Sequence, residues 1–162
     1  TLPLDGPRGH NTIGRSQTYE AVLDATETRA LLQDIPAVFH TRINDVLLTA
    51  VTHTLGTWTG HDHIRYDLEG HGREELSDNL DTSRTTGWFT TISPLHLPVP
   101  TTLTNGLKQI KELLRARPRH GIGYGLLAHT NTHTATTLHT ATPAQISFNY
   151  LGQFDQTLVP PG

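Results

Sequence analysis

The stretch HIRYDLEGHGREE, residues 63–75, decides the fold and also contains the residues that are richest in chemistry. Its first half alternates apolar and polar residues, a period of two that is typical of a β-strand with one buried face. The apolar residues of this strand are Ile64, Tyr66 and Leu68. Directly after them come Glu69 and then His71, which stands between two glycines. The sequence therefore predicts a strand over 63–68 that delivers a carboxylate to a tight turn.

Two amphipathic helices and a further strand surround this stretch in the chain. Residues 44–59 and 103–117 repeat apolar side chains every three or four positions, which is typical of helices with one buried face. Residues 145–151 alternate again and predict a last strand. The apolar residues of these three patterns are Leu47, Val51, Leu55, Trp58, Leu103, Leu107, Ile110, Leu114, Ile146, Phe148 and Tyr150. Helices that alternate with strands predict an α/β layer, and we expect these two helices to pack on one side of the sheet.

Shorter segments give weaker signals. Residues 16–23 alternate enough to predict a weak strand. Asp24 and Glu27 have the spacing of a capping box and predict the start of a helix. Residues 87–97 predict a strand that Pro94 weakens or ends. The segments 121–130 and 129–140 predict a short helix and a loop or poor helix, respectively.

Composition limits what the chain can be. Its 162 residues suggest one domain or one lobe of a larger domain, and 35% hydrophobic residues suffice for a packed core. A net charge of −3 offers no electrostatic argument for nucleic-acid binding. No apolar run is long enough to span a membrane, so we expect no membrane partner and a cytoplasmic location. The absence of cysteine excludes disulfides and thiolate metal sites.

Eleven histidines raise the hypothesis of a metal site. His129 and His133 are four residues apart, and His139 follows, but their threonine-rich surroundings predict no firm scaffold and contain no carboxylate. The cluster at 61–63 is weaker still. We therefore expect no bound metal.

Glu69 is the strongest candidate for chemistry on the residues alone. In α/β layers ligands bind beyond the carboxyl ends of strands, and glycines allow close approach of a substrate. A carboxylate there can carry a proton if burial raises its pKa toward roughly 6–7. A structural alternative remains open, in which Glu69 caps a turn or pairs with Arg73. We expect His71 to orient the loop.

Several motifs in order resemble the later signature motifs of epimerization domains of nonribosomal peptide synthetases. They are LEGHGRE (68–74), SRTTGWFTTISPLHL (83–97), PRHGIGYGLL (118–127) and FNYLGQFD (148–155), and INDVLLTAV (43–51) is similar to a helix of that family. The resemblance covers residues 17–155. It implies the C-terminal lobe of an epimerization domain in the condensation-domain superfamily, with residues 1–16 as a linker or loop and 156–162 as a tail. It also implies a chloramphenicol acetyltransferase-like lobe with a mixed sheet.

The resemblance implies a reaction as well. An aminoacyl or peptidyl thioester, carried on the phosphopantetheine of a peptidyl carrier domain, would be inverted at Cα from L to D by proton transfer on two faces. No cofactor would bind the lobe directly. Glu69 would be one proton carrier, and the family's histidine the other. Asn149 and Tyr150 match positions close to the family's active site, with Tyr150 equally readable as a core residue. Alternation puts these two on opposite faces of their strand.

The remaining site candidates each have a structural alternative. Trp88 and Arg73 are candidate substrate-binding residues. Trp88 and Phe89 are more often core residues, and Arg73 equally fits an ion pair with Glu69 or with a loop carboxylate. The basic stripe on helix 103–117 could meet an acidic carrier domain, although a solvated helix face fits it better. The stripe consists of Lys108, Lys111 and Arg115.

The HHxxxDG motif, which supplies the family's catalytic histidine, is absent from these residues. We therefore expect an N-terminal lobe that carries the motif as a partner, little activity from this chain alone, and self-association through the surface that the partner would cover. Two rival functions remain. One is a condensation-type amide-forming lobe, against which residues 69–73 and 87–90 speak. The other is a non-catalytic lobe that only docks carrier domains.

Overall fold

The computed structural model describes residues 1–7, 9–74 and 81–153. Within them the fold is α/β, with a three-stranded mixed sheet in the order β2–β1–β3. The elements are α1 (Ala25–Arg29), a π-helical turn (Ala30–Asp34), α2 (Ile35–Phe39), α3 (Ile43–Thr59), β1 (His63–Gly70), β2 (Thr91–Pro98), α4 (Leu103–Ala116), α5 (Tyr124–His129), α6 (Thr132–His139) and β3 (Ser147–Phe148). Short 3₁₀ turns occur at Ile13–Arg15 and Pro118–Gly121.

The chain forms two compact units. The first consists of Thr1–Ile64 and Leu97–Arg115, and the second of Arg65–His96 and the residues from Ala116 onward. The first unit buries apolar side chains of α3 and α4 together with one residue each from β1 and β2, and the second buries those of the remainder of β1 and β2 and one residue of α5. The buried apolar residues are Val46, Leu48, Ile64, Leu97, Leu107 and Ile110 in the first unit, and Tyr66, Leu68, Leu95 and Ala128 in the second.

β1 confirms the strand predicted from the quoted stretch and extends it by two residues, to Gly70. Its three apolar residues are buried, whereas His63 and Arg65, at alternate positions of the strand, are exposed. β1 pairs in parallel with β3, and Asp67 donates its N–H to the carbonyl of Ile146 at 2.8 Å. The pairing places Leu68 beside Phe148. Glu69 is thus part of the strand itself rather than of the loop behind it.

The expectation that Pro94 weakens or ends the second strand is wrong. β2 runs through Pro94 and begins only at Thr91, four residues later than predicted. Among the described strands β2 lies at the sheet edge, where a residue without an N–H is tolerated. Pro94 is exposed, while Ser93 and Leu95 on either side are buried. The strand therefore keeps its period despite the proline.

Helix α3 is confirmed, but its buried face is not the predicted one. The buried residues are Asp45, Val46, Leu48, Thr49, Thr52 and Gly56, whereas Trp58 is 56% exposed. The cause is close packing against the segment that enters α4. Gly56 lies so near Val99 that a Cβ would overlap both of its methyl groups, and Gly106 lies equally close to Pro100. Small residues, not large ones, define this interface.

α4 buries Leu107 and Ile110 as predicted, whereas Leu103 is exposed. Its basic residues have a structural role within the first unit. Lys111 Nζ donates to the carbonyl of Phe39 at 3.2 Å, and an Arg115 guanidinium N–H donates to that of His40 at 2.6 Å. Both acceptors lie at the end of α2, where helical carbonyls lack internal partners and cations are favourable. This occupies two members of the stripe that was considered for a carrier domain.

The helix predicted after Asp24 begins with the expected capping box. Asp24 Oδ1 accepts from the N–H of Glu27 at 2.8 Å, and the Glu27 carboxylate accepts from the N–H of Asp24 at 3.0 Å. The helical path continues through a π turn to Phe39. Pro36 follows this turn and has no N–H for an intrahelical bond, which accounts for the interruption.

Two predictions about weaker segments need correction. Residues 16–23 form no strand, and Tyr19 and Val22 are 87% and 90% exposed, because the described sheet offers this segment no hydrogen-bonding neighbour. The last strand pairs only at Ser147–Phe148 instead of over 145–151.

The threonine-rich segment forms the short helix α6, whose N-terminus is capped by the Asn131 side chain. The predicted helix within 121–130 is confirmed as α5. Residues 156–162 lie outside the described residues.

We expect Gly56→Ala to destabilise the protein by about 1–3 kcal/mol, because the new methyl group overpacks against the β-branched Val99. This loss exceeds the gain of up to about 1 kcal/mol in helix propensity. Gly125→Ala in α5 is the matched control, since nothing lies within 4 Å of its added Cβ. Chemical denaturation should show a lower midpoint for the first variant and an equal or higher one for the second. A rise in both midpoints would contradict the packing argument.

Candidate active site

The Glu69 carboxylate lies at the carboxyl end of β1, next to Gly70, and its side chain is half-buried. With the other described residues it forms neither a hydrogen bond nor an ion pair. The alternative in which Glu69 pairs with Arg73 is therefore wrong for this structure. A half-buried, unpaired carboxylate at a strand end is chemically available to take up or release a proton.

The chain leaves β1 through a turn that only glycine permits. Gly72 has a φ of 67°, in the left-handed region, and is buried. A Cβ at this position would collide with the backbone carbonyl of Phe89. The second glycine of the GHG string is thus explained by the close approach of two backbone segments. It fixes where the chain goes after the candidate carboxylate.

Arg73 binds the loop that precedes β2, residues 81–90. Its guanidinium donates to the carbonyl oxygens of Thr82 and Thr85, the latter at 2.8 Å, and lies 4.2 Å from the ring centroid of Phe89. The planar fork of arginine suits two acceptors and an aromatic face at once. These contacts occupy the group that was predicted to bind substrate or to hold Glu69.

The loop that Arg73 holds presents Trp88 outward, with 89% of the residue exposed. The expectation of a core tryptophan is wrong, because the loop packs Phe89 and not Trp88 against Arg73. Asp81 does not meet Arg73 either. Its carboxylate accepts the N–H of Ser83 at 2.8 Å, and this hydrogen bond lowers the pKa of Asp81.

A carboxylate between two imidazoles lies directly after Arg73. Glu74 has a side chain that is only 19% exposed, and its Oε2 is 2.7 Å from His120 Nδ1 while its Oε1 is 3.5 Å from His71 Nε2. His71 Nδ1 accepts the N–H of Arg73 at 3.0 Å, so the proton of neutral His71 is on Nε2 and faces Glu74. His71 thus contacts both the backbone of Arg73 and the carboxylate of Glu74. Glu74 and His120 were both inside the quoted motifs, but no sequence signal linked residues 46 apart.

His120 is presented by an unusual turn. Arg119 and His120 both have positive φ, of 44° and 53°, and Gly121 follows at 89°. Non-glycine residues in this region are strained and persist where the surroundings fix them. Beneath the turn the Arg117 guanidinium donates to Ser93 Oγ, and a Cβ at Gly121 would collide with both groups. Burial lowers the pKa of Arg117, and the negative charge of Glu74 opposes that effect.

Asn149 and Tyr150 follow β3 directly. Asn149 is exposed and Tyr150 is half-buried, and both lie outside the strand that was predicted to contain them. His129 and His139 lie on α5 and α6 with ring centroids 5.6 Å apart. Among the described residues no group of three or more potential ligands could hold a metal ion. In the same part of the chain, every helix is too short or too polar to cross a membrane.

Comparison with known proteins identifies the class. The family model described as "Condensation domain" matches residues 1–159, and the chain belongs to this family. Its sheet and helices match the chloramphenicol acetyltransferase-like fold of that family. The chain is 48% identical over 159 residues to a linear gramicidin synthase of Brevibacillus parabrevis and 39% identical over 159 residues to bacitracin synthase 3 of Bacillus licheniformis. The alignments cover 96% and 97% of this chain but only 3% and 2% of those relatives.

Solved structures give the same fold. The epimerization domain from the third module of tyrocidine synthetase B matches with a TM-score of 0.74 and 38% identity, over 82% of this chain and 31% of that one. The first condensation domain of the calcium-dependent antibiotic synthetase matches with a TM-score of 0.50 and 16% identity, over 78% of this chain and 28% of that one. The second likeness concerns the fold alone.

We expect Arg73→Gln to loosen the loop 81–90, because it removes the forked donor and the cation over Phe89. Trypsin should then cleave after the exposed Arg84 about tenfold faster, as expected when roughly 1.4 kcal/mol of local stability is lost. Arg65→Gln is the matched control, since its guanidinium binds the carbonyl of Thr142 instead. Equal cleavage rates in the Arg73 variant and the wild type would show that Arg73 does not hold the loop.

Proposed function

We propose that this chain is the C-terminal lobe of an epimerization domain of a nonribosomal peptide synthetase. In the complete domain it would invert the Cα of an aminoacyl or peptidyl thioester from L to D. The observation that carries the proposal is the half-buried carboxylate of Glu69 at the carboxyl end of β1, which has no partner among the described residues. The likeness to an epimerization domain, at 38% identity, supports the same branch of the family.

The chemistry follows from the thioester. A thioester acidifies the neighbouring Cα–H, and a base on one face removes the proton to give a planar enolate. An acid on the other face then returns a proton, so inversion needs carriers on both sides. Glu69 fits one of these roles, and positioned acid–base groups typically contribute about 10²–10⁴ in rate. The second carrier would be the histidine of the HHxxxDG motif, which these 162 residues do not contain.

The partners of the proposed reaction are a peptidyl carrier domain and an N-terminal lobe. The substrate would arrive on the phosphopantetheine arm of the carrier, and the lobe itself would bind no cofactor. Asn149 and Trp88 are exposed, and Tyr150 is half-buried, so these side chains are available to contact the arm or the acyl group. Arg73 and His71 would contribute by holding the segment that follows Glu69, which Arg73 ties to the loop before β2.

Amide formation of the condensation type is the second candidate, because the matching family model is that of condensation domains as a whole. The two reactions differ in a measurable way. Inversion exchanges the Cα–H with solvent, whereas condensation joins two carrier-bound groups and leaves Cα untouched. An assay of deuterium uptake at Cα beside an assay of amide product separates them.

In a complete domain that contains this chain, we expect Glu69→Gln to reduce inversion by at least about 10²-fold and to leave carrier binding intact. Glutamine keeps the shape and hydrogen-bonding reach of the side chain but cannot accept a proton at neutral pH. The measurement is chiral analysis of the released acyl group together with deuterium uptake from solvent.

Asp67→Asn, the same change two residues earlier on β1, is the matched control and should keep wild-type inversion. The present chain alone should show no inversion above the uncatalysed rate. Wild-type inversion by Glu69→Gln would remove Glu69 from the mechanism. Inversion by this chain alone would refute the two-lobe scheme.

Self-association of the chain by itself also belongs to the proposal. Ile13, Tyr19 and Val22 expose apolar side chains within residues 13–22, and large exposed apolar surface favours association. We expect sedimentation to show a concentration-dependent rise in mass. The double variant Tyr19→Ser, Val22→Ser should weaken it. A monomer at every concentration tested would contradict this expectation.

A further inference from the structure

The Glu69 carboxylate must be held in place for proton transfer by contacts other than its own. This inference rests on the proposed function. A carboxylate that must gain and lose a proton cannot be fixed by a strong ion pair of its own, and with the described residues it has none. Its location must come from the backbone around it. On one side that backbone is β1, and on the other it is the segment 70–74, so the contacts of this segment decide where the carboxylate lies.

Three consecutive residues of the segment are each attached to another part of the second unit. Gly72 packs against the carbonyl of Phe89, and Arg73 binds the loop before β2. Glu74 is attached through its side chain to His120, on the turn Pro118–Gly121. The first two attachments lead to the same loop, whereas the third leads to a separate one.

The Glu74–His120 contact has the geometry of a strong hydrogen bond. The separation of 2.7 Å is short for a nitrogen donor and is typical of a bond to a charged acceptor. An ionised carboxylate only accepts, so His120 Nδ1 carries the proton. The strained backbone of His120 is consistent with a side chain that is fixed at its far end. The half-buried guanidinium of Arg117 lies close enough to Glu74 to interact with its charge.

We propose that Glu74 and His120 form a positioning pair, whose hydrogen bond ties the segment after Glu69 to the turn Pro118–Gly121 and so fixes the Glu69 carboxylate for proton transfer. His71 is a weaker, exposed partner at 3.5 Å and plays a secondary part. In this scheme His120 transfers no proton to substrate. It acts through Glu74, and its essential features are a donor at the Nδ1 position and tolerance of positive φ.

These features select the test variants. Asparagine has an amide donor near the position of Nδ1 and accepts the left-handed backbone conformation readily, whereas alanine offers neither. In the complete domain we expect His120→Ala to lower kcat for inversion about 10- to 100-fold with KM within about twofold, the loss typical of a slightly misplaced catalytic group. His120→Asn should restore most of the rate. Glu74→Gln, which keeps an acceptor, should be closer to wild type than Glu74→Leu.

A second readout does not depend on activity. In the complete domain labelled with ¹⁵N-histidine, His120 should carry its proton on Nδ1 at mildly alkaline pH, contrary to the usual preference of free imidazole for Nε2. Comparison with His120→Asn assigns its signals. Glu74→Leu should shift the proton to Nε2, and His71→Ala should leave it on Nδ1.

The outcomes distinguish a failure of the Glu74–His120 pair from a failure of the proposed function of Glu69. A Nε2 proton on wild-type His120 would overturn the pair, whatever the activities are. Equal loss of kcat in His120→Asn and His120→Ala would replace positioning by direct proton transfer and would also overturn it. If the Nδ1 proton is present but Glu69→Gln inverts normally, the pair exists and the proposed function of Glu69 fails.

Discussion

β1 is hydrogen-bonded on both sides, to β2 and to β3, and the candidate site depends on this central position. The pairing with β3 reaches Leu68, the residue directly before Glu69, and so restricts the backbone up to the candidate carboxylate. The alternation of buried Tyr66 and Leu68 orients the strand, and a slip of one residue would turn every side chain to the other face. Glu69 inherits its direction from this register.

After β1 ends at Gly70, the path of the chain is constrained by contacts of residues 72–74 and no longer by hydrogen bonds of the sheet. Gly72 allows the chain to pass against the carbonyl of Phe89, which no side chain would permit. Arg73 and Glu74 then attach the chain to two different loops of the same unit. The result separates two tasks. Neighbouring residues hold the backbone in place, and the Glu69 carboxylate has no charged partner among the described residues.

The first unit shows how small residues set helix packing. Gly56 belongs to the buried side of α3 and lets Val99 approach closely, and Gly106 of α4 does the same for Pro100. The larger side chains on the neighbouring face remain half-buried or exposed. Lys111 and Arg115 meanwhile complete the end of α2. Basic residues that the sequence presents as a possible docking surface therefore have an internal use, which lowers their availability to a partner.

The sequence by itself determined the elements that depend on local order. The period of β1, the helical repeats of α3 and α4 and the capping box at Asp24 follow from neighbours within a few residues, and the structure confirms them. The motif order also pointed to the family that the comparison shows. Glu69 could be named as a candidate because the strand, the carboxylate and the glycines are adjacent in the chain.

Only the tertiary structure decided which surfaces meet. The buried face of α3, the passage of β2 through Pro94 and the absence of a strand over 16–23 depend on neighbours distant in sequence. The same holds for Glu74 and His120. They lie 46 residues apart, and only the folded structure brings their side chains into hydrogen-bond contact. A local pattern reveals that a face will be buried or a group charged. It does not predict which distant residue a side chain will contact, because that contact depends on the packing of the whole chain.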